Sequence, residues 1–384
     1  MSLESSVTEL VEEASTLINV FKQRRNEIEQ ALQELSESAI TPVTGTVNYS
    51  VGPTGDFATL NEAFEVISNT RSAILNGAVS RVIVTLQSGF VMQEQLLFQR
   101  NIDLSFSEIR SEDSEVPVDP TYLTASFYGG YPVFGGASYA KLPKIYVLFR
   151  MLATGRNNTH YGASLNSGSQ LFFGPGCGVA DCGGHGAYVA GQSIFSASSS
   201  DFSGAGLTGI FITSNSFGYV AAANVSGAGE SGLHCREVSI AHAPSLEATN
   251  VFGVGISLAH NSLVHAYGAN VESLNNNGVY SAGSKVTVSN GNIVSGGGYA
   301  LYSLEGGNIS GTGVTCRGGA TACVYAARGS IIDVTDGDIL QGTEPGSSDI
   351  TVSHGGTIIT NKSTVGGTNI ALNTLTANGV IYQQ

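Results

Sequence analysis

Two carboxylates in the second half of the chain have a spacing that suits polysaccharide hydrolysis. Asp201 and Glu247 occupy equivalent positions two 23-residue repeats apart. If each repeat is one turn of stacked strands, the two carboxyls lie about 10 Å apart. Inverting glycosidases hold their carboxyls roughly 6.5–9.5 Å apart. The alternative is that both residues merely open turns in a column of Asp and Asn side chains.

A second candidate site lies in the least repetitive part of the β region, residues 108–161, where an acidic run precedes aromatic residues separated by Gly and Pro. Exposed aromatic rings can stack on sugar faces while Tyr hydroxyls bond sugar hydroxyls. The alternative is a lid whose aromatic residues pack on the rest of the chain or on a neighbouring subunit. The candidate glycan-binding residues are Tyr122, Phe127, Tyr128, Tyr131 and Tyr139.

Other chemistries lack their motifs. Neither a Gly-x-Ser-x-Gly nucleophile motif nor a phosphate-binding loop occurs. The five Cys residues show no CxxC-type metal pair, and His242 and His265 share a repeat position without an evident third ligand. The sequence therefore predicts buried free thiols, no metal site and no cofactor.

The net charge of −14 results from 30 acidic and 16 basic residues, without a cationic cluster. Because nucleic-acid binding requires clustered cations, we expect no nucleic-acid partner. A membrane helix needs about 18 consecutive apolar residues, and no such run occurs, so no membrane span is predicted. The acidic N-terminus lacks the apolar segment of a signal peptide. We expect synthesis in a reducing cytoplasm.

Residues 2–38 contain neither Pro nor Gly and are rich in Glu, Leu, Ala and Gln, which predicts a helix. Apolar residues recur at spacings of four and three, the a/d pattern of a coiled coil. The apolar stripe is wider than a two-stranded coiled coil requires, which suits either three strands or a helix held by a partner. The alternative is an amphipathic helix folded onto its own domain. The predicted oligomerisation residues are Leu3, Val7, Leu10, Leu17, Phe21, Ile28 and Leu35.

Residues 164–340 repeat about every 23 residues, and three apolar ladders follow that period. The first ladder is Ala187, Ile210, Leu233, Ile256, Val279, Leu301 and Val324. The second is Leu171, Ile194, Phe217, Ile240, Leu263, Val286, Ile309 and Ile331. The third is Val179, Phe202, Val225, Ala248, Val271, Ile293, Val314 and Ile339. One turn cannot bury its own apolar side, whereas stacked turns bury a continuous column. The sequence predicts an all-β fold, a right-handed parallel β-helix with three sheets.

The segment before the repeats carries a more specific signal. Thr59-Leu60-Asn61-Glu62 is a capping box that predicts a short helix, and strands are predicted at 81–86, 96–98 and 102–106. A helix at this position can plug the open end of a β-helix. Residues 51–63, from Val-Gly-Pro-Thr-Gly-Asp-Phe onward, resemble the opening motif of phage tailspike and tail-fibre β-helices of the pectin-lyase-like class. Residues 373–382 resemble the closing segment of some of these proteins.

This resemblance implies a homotrimer on the virion tail that adheres to host cell-surface polysaccharide. Many relatives also cleave the glycan, so a glycan-degrading hydrolase or lyase on the same scaffold is the alternative function. The phage tail or an adaptor protein would hold the N-terminal helix. We expect five segments: a helix for assembly and attachment at 1–40, a cap with the first turns at 41–110, an irregular aromatic and acidic region at 111–161, β-helix turns at 162–342 and a C-terminal cap at 343–384.

Overall fold

The computed structural model describes residues 19–29, 41–43, 45–72, 81–99, 101–152, 157–319, 322–340, 348–365 and 379–382. The chain forms a parallel β-solenoid in which neighbouring strands of a sheet come from successive turns. The all-β parallel β-helix predicted from the sequence is confirmed. A helix occupies residues 19–29, and a second helix spans Leu60–Ser68. A 3-10 helix spans Pro120–Tyr122.

The largest sheet has 14 strands and begins close to the N-terminal end of the solenoid. Its strands are Thr46–Val51, Arg81–Leu86, Ser107–Ser111, Lys141–Ile145, Gln170–Phe173, Ile194–Ser196, Phe217–Tyr219, Ile240–His242, Leu263–His265, Lys285–Thr287, Asn308–Ser310, Ile331–Asp333, Thr357–Ile359 and Val380–Tyr382. Its strand Ser107–Ser111 lies just beyond the strand predicted at 102–106. The predicted strand at 81–86 is confirmed.

A second sheet has 11 strands. They are Leu96–Phe98, Tyr131–Gly136, His160–Leu165, Ala187–Val189, Thr208–Ile212, Ser231–Cys235, Val254–Ala259, Val279–Ala282, Leu301–Leu304, Ala322–Ala327 and Ser348–Ser353. The predicted strand at 96–98 is confirmed.

Three smaller sheets complete the described strands. The six-stranded sheet contains Glu247–Val251, Asn270–Ser273, Asn292–Ser295, Thr315–Gly318, Asp338–Leu340 and Thr364–Val365. The three-stranded sheet contains Glu115–Val118, Leu148–Met151 and Gly178–Ala180. Isolated bridges at Asp201 and Asn224 link these two sheets. A separate pair joins Thr41–Val43 to Thr70–Ser72.

The first predicted ladder is confirmed in register and in burial. Ala187 pairs with Ile210, Ile210 with Leu233, and the pairing continues to Val324. All seven side chains of this ladder are fully buried. Burying one such side chain contributes about 1.5–3 kcal/mol, so this column is a major part of the core.

The second predicted ladder is wrong at five of its eight members. Leu171 pairs with Phe195, while Ile194 pairs with Gln170 and belongs to the outward-facing column. Phe195 is fully buried, whereas the Ile194 side chain is 43% exposed. The inward column of the 14-stranded sheet is Leu171, Phe195, Gly218, Ala241, Val264, Val286, Ile309 and Ile332. The predicted ladder is one residue out of register at five positions, and the side chains at these positions lie on the outer face. These residues are Ile194, Phe217, Ile240, Leu263 and Ile331.

The third predicted ladder is right except for one member. Ala248 pairs with Val271 and Val271 with Ile293, and all three are fully buried. The next residue in register is Cys316, which then pairs with Ile339. Val314 is also buried but lies before the strand. The predicted buried free thiols are observed, since all five cysteines are free and buried.

The predicted capping box is confirmed. The Thr59 hydroxyl accepts from the Glu62 backbone N–H at 3.2 Å, and the Glu62 carboxylate accepts from the Thr59 N–H at 3.3 Å. The helix buries Leu60, Ala63, Phe64 and Ile67 in the core that continues through the solenoid.

Residues 111–161, expected to be irregular, contain regular strands. Among them, Glu115–Val118 and Leu148–Met151 pair with each other, and Tyr131–Gly136 lies within the 11-stranded sheet. The strands of the solenoid therefore continue through this segment.

Of the predicted oligomerisation residues, Phe21 and Ile28 are described and are 67% and 60% exposed. The others, Leu3, Val7, Leu10, Leu17 and Leu35, lie outside the described residues. Within the described part of the chain, no helix has the length and hydrophobicity to cross a membrane.

Candidate functional site

The two candidate catalytic carboxylates lie in one polar column on the outside of the solenoid. The column contains Asp201, Asn224, Glu247, Asn270 and Asn292, one from each successive turn. The Asn224 amide donates to Asp201 Oδ1 at 3.1 Å, and the Asn270 amide donates to Glu247 Oε2 at 2.9 Å. Asn224 therefore stands between the two carboxylates.

These hydrogen bonds give both carboxylates a structural role. Asp201 Oδ1 also accepts from the Ser203 backbone N–H at 3.0 Å, a local turn contact. The side-chain amide of the next turn donates a hydrogen bond to each carboxylate and so joins adjacent turns, as in stacked Asn ladders. Two turns of stacking still separate Asp201 from Glu247 by about 10 Å.

The structure does not bring the aromatic residues predicted from 111–161 into one site. Phe127 is buried, and its ring contacts Tyr128 with centroids 4.9 Å apart. Tyr131 begins a strand of the 11-stranded sheet and contacts His160. Tyr139 lies beyond the other end of that strand, with its ring against Gly168. A strand of six residues is about 17 Å long. Tyr131 and Tyr139 therefore lie near opposite ends of this strand and do not share one site. Tyr122 is 48% exposed on the 3-10 helix.

Sequence reasoning missed a longer aromatic column on the outer face of the 11-stranded sheet. Tyr188, Phe211 and His234 are in register on successive turns. After Ser257 the same column continues as Tyr280, Tyr302 and Tyr325. Each of these residues directly follows a member of the first apolar ladder, and adjacent residues of a strand point to opposite faces. The signal was therefore present one position after the ladder that was found.

The C-terminal half of this column and the adjoining Tyr299 form a tyrosine cluster, defined as Tyr280, Tyr299, Tyr302 and Tyr325. The rings of Tyr302 and Tyr325 are stacked, with centroids 5.2 Å apart and planes 14° from parallel. Tyr299 lies 4.8 Å from Tyr302 and 4.9 Å from Tyr325. All four side chains are partly exposed. The cluster is thus a continuous aromatic surface that spans three turns.

Polar groups surround the tyrosine cluster. The Tyr325 hydroxyl and the Ser353 hydroxyl are hydrogen-bonded at 2.8 Å. Arg328 forms an exposed ion pair with Glu305 at 3.2 Å. Burial raises the pKa of the Tyr280 and Tyr302 phenols, so both remain neutral hydroxyls at physiological pH. The Glu305 carboxylate also raises the pKa of the Tyr280 phenol, and the Arg328 guanidinium lowers it. Aromatic faces can stack on a sugar ring. Hydroxyl, guanidinium and carboxylate groups at the edge of these faces can form hydrogen bonds with the sugar hydroxyls.

The N-terminal half of the column is more buried, and together with the adjoining Tyr161 and His185 it forms a histidine cluster, defined as Tyr161, His185, Tyr188, Phe211 and His234. His185 lies 5.3 Å from Phe211, and Phe211 lies 4.7 Å from His234. The guanidinium of Arg236 lies 5.0 Å from the Phe211 ring centre. Burial lowers the pKa of His185 and His234 to about 4, so both are neutral at pH 7.

His185 is also fixed in one tautomer. The Thr208 backbone N–H donates to His185 Nδ1 at 3.3 Å, so the proton of the neutral ring is on Nε2. In the part of the chain that the structure describes, no three His, Cys, Asp or Glu side chains are placed to hold a metal ion. The contacts between its rings make the histidine cluster an aromatic packing unit.

Comparisons with known proteins bear on the fold. No protein-family profile matches the sequence, and no curated protein sequence matches it. The A-module of a mannuronan C-5 epimerase from Azotobacter vinelandii is similar in structure, with a TM-score of 0.50 and 13% identity over 79% of this chain and 91% of that chain.

Two phage structures are more distant. ORF18 of Geobacillus virus E2 has a TM-score of 0.43 and 12% identity over 83% of this chain and 56% of that chain. The Dettilon tailspike protein has a TM-score of 0.41 and 14% identity over 79% of this chain and 62% of that chain. One of these two structures is a tailspike protein. At such identities the likeness concerns the fold.

Proposed function

We propose that this protein is a phage tailspike that adheres to a bacterial surface polysaccharide. It assembles as a homotrimer on the virion tail, where the N-terminal helix is held by a tail or adaptor protein. The observation that carries the proposal is the tyrosine cluster, a partly exposed aromatic surface on a rigid sheet. The opening motif at 51–63 and the heptad pattern of the first 40 residues support the tailspike assignment.

The tyrosine cluster suits a polysaccharide better than a small ligand or a protein. Its rings follow the axis of the solenoid over three turns, with an open and partly polar surface. A polymer of sugars can lie along such a surface and stack on several rings at once. Multiple weak contacts of this kind add up through avidity in a trimer.

Three exposed aromatic residues predicted from the sequence, Tyr122, Tyr128 and Tyr139, remain candidates for a separate sugar contact. They are 48%, 48% and 66% exposed. Since they do not form a continuous surface with the tyrosine cluster, we propose them only as secondary contacts.

One observation favours the alternative, a glycan-degrading enzyme on the same scaffold. Asp201 and Glu247 lie on one column at a separation near the inverting range. Their amide partners and the intervening Asn224 favour the structural role, so adhesion without cleavage is the function that the geometry supports best.

The proposal is tested by binding of the purified full chain to a panel of isolated bacterial capsular and lipopolysaccharide glycans, measured by biolayer interferometry. We expect saturable binding to at least one glycan and adsorption of the protein to the cells that produce it. If the panel includes the host glycan, identified by phage plaque formation or cell adsorption, and the chain does not bind it, the proposal is wrong.

A further inference from the structure

The outer face of the 14-stranded sheet carries an apolar patch over four successive turns. Its apolar members include Ile194, Phe217, Ile240 and Leu263, the residues of the second predicted ladder that lie on the outer face. The patch is defined by the outward side chains Ile194, Ser196, Phe217, Tyr219, Ile240, His242, Leu263 and His265. Ile194, Tyr219 and Ile240 are 43%, 48% and 38% exposed. Contiguous exposed apolar surface of this kind marks an interaction site.

The patch has clear boundaries along the solenoid. On the preceding turn the two outward columns contain Gln170 and Phe172, and one turn earlier they contain Lys141 and Lys144. On the following turns they contain Lys285 and Thr287, then Asn308 and Ser310. The apolar surface is therefore local, although the inward columns of the same sheet remain apolar throughout.

The patch is also free of carboxylates, ammonium groups and guanidinium groups in a chain with a net charge of −14. In a parallel cyclic assembly, the same residue of each copy meets its equivalents at the same height around the axis. A charged residue in such a position would face its own like charge, which is destabilising. An uncharged patch avoids this repulsion, which favours a second copy of the same chain over an unrelated charged partner.

The rim of the patch adds an independent observation. Val238 has a φ of 63° and is 58% exposed. A β-branched residue in the left-handed region is strained, and its apolar side chain gains nothing from solvent. Val238, Ile240, Leu263 and Lys285 line a groove of about 450 Å³ beside the patch. A side chain from a neighbouring copy would fill this groove and cover Val238.

The N-terminal helix points to the same occupant. Within its described residues, Val20, Phe21 and Ile28 are exposed, as expected for a helix whose apolar stripe is covered by other copies. The chain then enters the solenoid at Thr46–Val51, the first strand of the sheet that carries the patch. Helices in parallel association would hold the copies side by side in the same direction.

We infer that copies of this chain pack against one another through the apolar patch, with the patches facing a common axis. This inference rests on the homotrimer of the proposed function. The solenoids then contact one another directly, and the tyrosine clusters lie on a different sheet from this interface.

The test uses two cysteine variants of the full chain, Ile240→Cys in the patch and Ile331→Cys as the matched control. Both residues lie in the same outward column of the same sheet, with exposures of 38% and 40%. The five native cysteines are buried, so a short bismaleimide cross-linker reacts with the introduced thiol. We expect cross-linked chains on a denaturing gel for Ile240→Cys and mostly uncross-linked chains for Ile331→Cys.

Equal cross-linking of the two variants, or none at position 240, would overturn the inference. An Ile240→Asp variant gives a second readout, because a carboxylate at each equivalent position repels. Its molar mass by light scattering should shift toward the single chain at concentrations where the unchanged chain and Ile331→Asp remain associated. Polysaccharide binding by Ile240→Asp at high glycan density separates the two proposals. If Ile240→Asp binds polysaccharide as a single chain, the adhesion proposal stands. If the unchanged chain associates through the patch but binds no polysaccharide, the adhesion proposal alone is wrong.

Discussion

Tyr302 and Tyr325 lie one turn apart on the outer face of the 11-stranded sheet, with their rings stacked at 5.2 Å. Directly beneath them, Leu301 and Val324 pair in the core column. The same repeat therefore builds the core on one side of the sheet and an aromatic surface on the other. Tyr280, Tyr302 and Tyr325 each lie on a strand of the solenoid, which fixes the spacing of their rings.

Replacing Tyr302 tests whether the tyrosine cluster binds sugar. Tyr302→Ala removes the ring that touches Tyr280, Tyr299 and Tyr325. We expect the affinity for the bound polysaccharide to fall about tenfold, since an aromatic contact contributes about 0.5–1.5 kcal/mol beyond its buried area. Isothermal titration calorimetry with the purified glycan measures this.

Tyr302→Phe keeps the ring and serves as the conservative variant, and Tyr267→Ala removes an exposed tyrosine elsewhere on the surface. We expect both to retain most of the affinity. If Tyr302→Ala binds as tightly as Tyr267→Ala, the tyrosine cluster is not the site.

Two adjacent isoleucines test the corrected register of the 14-stranded sheet. Ile332 is fully buried, whereas Ile331 is 40% exposed. Ile332→Ala should lower the free energy of unfolding by about 2–5 kcal/mol because it leaves a cavity. Ile331→Ala should change it by about 0.5 kcal/mol or less. Chemical denaturation compares them, and a larger loss for Ile331→Ala would contradict the register.

The histidine cluster predicts a specific pH dependence of stability. Burial lowers the pKa of His185 and His234 to about 4 in the folded protein, below the unfolded value of about 6.5. The unfolded state therefore binds more protons between these values. The free energy of unfolding therefore falls as the pH falls from about 6.5 toward 4, and above pH 6.5 these two histidines no longer make it depend on pH.

His185→Gln removes one of these titrating groups. We expect the unfolding midpoint of this variant to depend less on pH than that of the unchanged chain between pH 6.5 and 4. Thermal unfolding at half-unit pH steps measures both slopes. Identical slopes would show that His185 does not titrate in this window.

Amide variants of the polar column distinguish adhesion from cleavage. We expect the unchanged chain to release no reducing ends from a polysaccharide that it binds, and we expect Asp201→Asn and Glu247→Gln to bind with unchanged affinity. A reducing-end assay over hours is sufficient. Release by the unchanged chain that disappears in both variants would establish the glycosidase alternative.

The sequence predicted much of the fold because burial repeats with each turn. The column from Ala187 to Val324 was found with its register, since its neighbours on both sides differ from it in polarity or size. In the 14-stranded sheet, Ile194 and Phe195 are adjacent and both apolar, so the repeat alone did not show which one points inward. The true inward column contains Gly218 and Ala241, which are buried but have no side chain or only a methyl group, so its apolar pattern is weak there.

The candidate site was harder to predict than the fold. The aromatic residues of 111–161 stood out because the segment lacks an evident repeat, but strands there take the residues to different places. Most of the tyrosine cluster has the ordinary repeat spacing. Three of its tyrosines each follow a residue of the first apolar ladder by one position, so their spacing does not distinguish them from the ladder. Its importance depends on exposure and on contacts between turns, such as that of Tyr299 with Tyr325, which spacing does not encode.

The most direct test of the adhesion account is a structure of the full chain with an oligosaccharide from its bound glycan. The account predicts a sugar ring stacked on Tyr302 or Tyr325, with its hydroxyls near Arg328 or Glu305. A sugar bound instead between Asp201 and Glu247, with the tyrosine cluster empty, would contradict it.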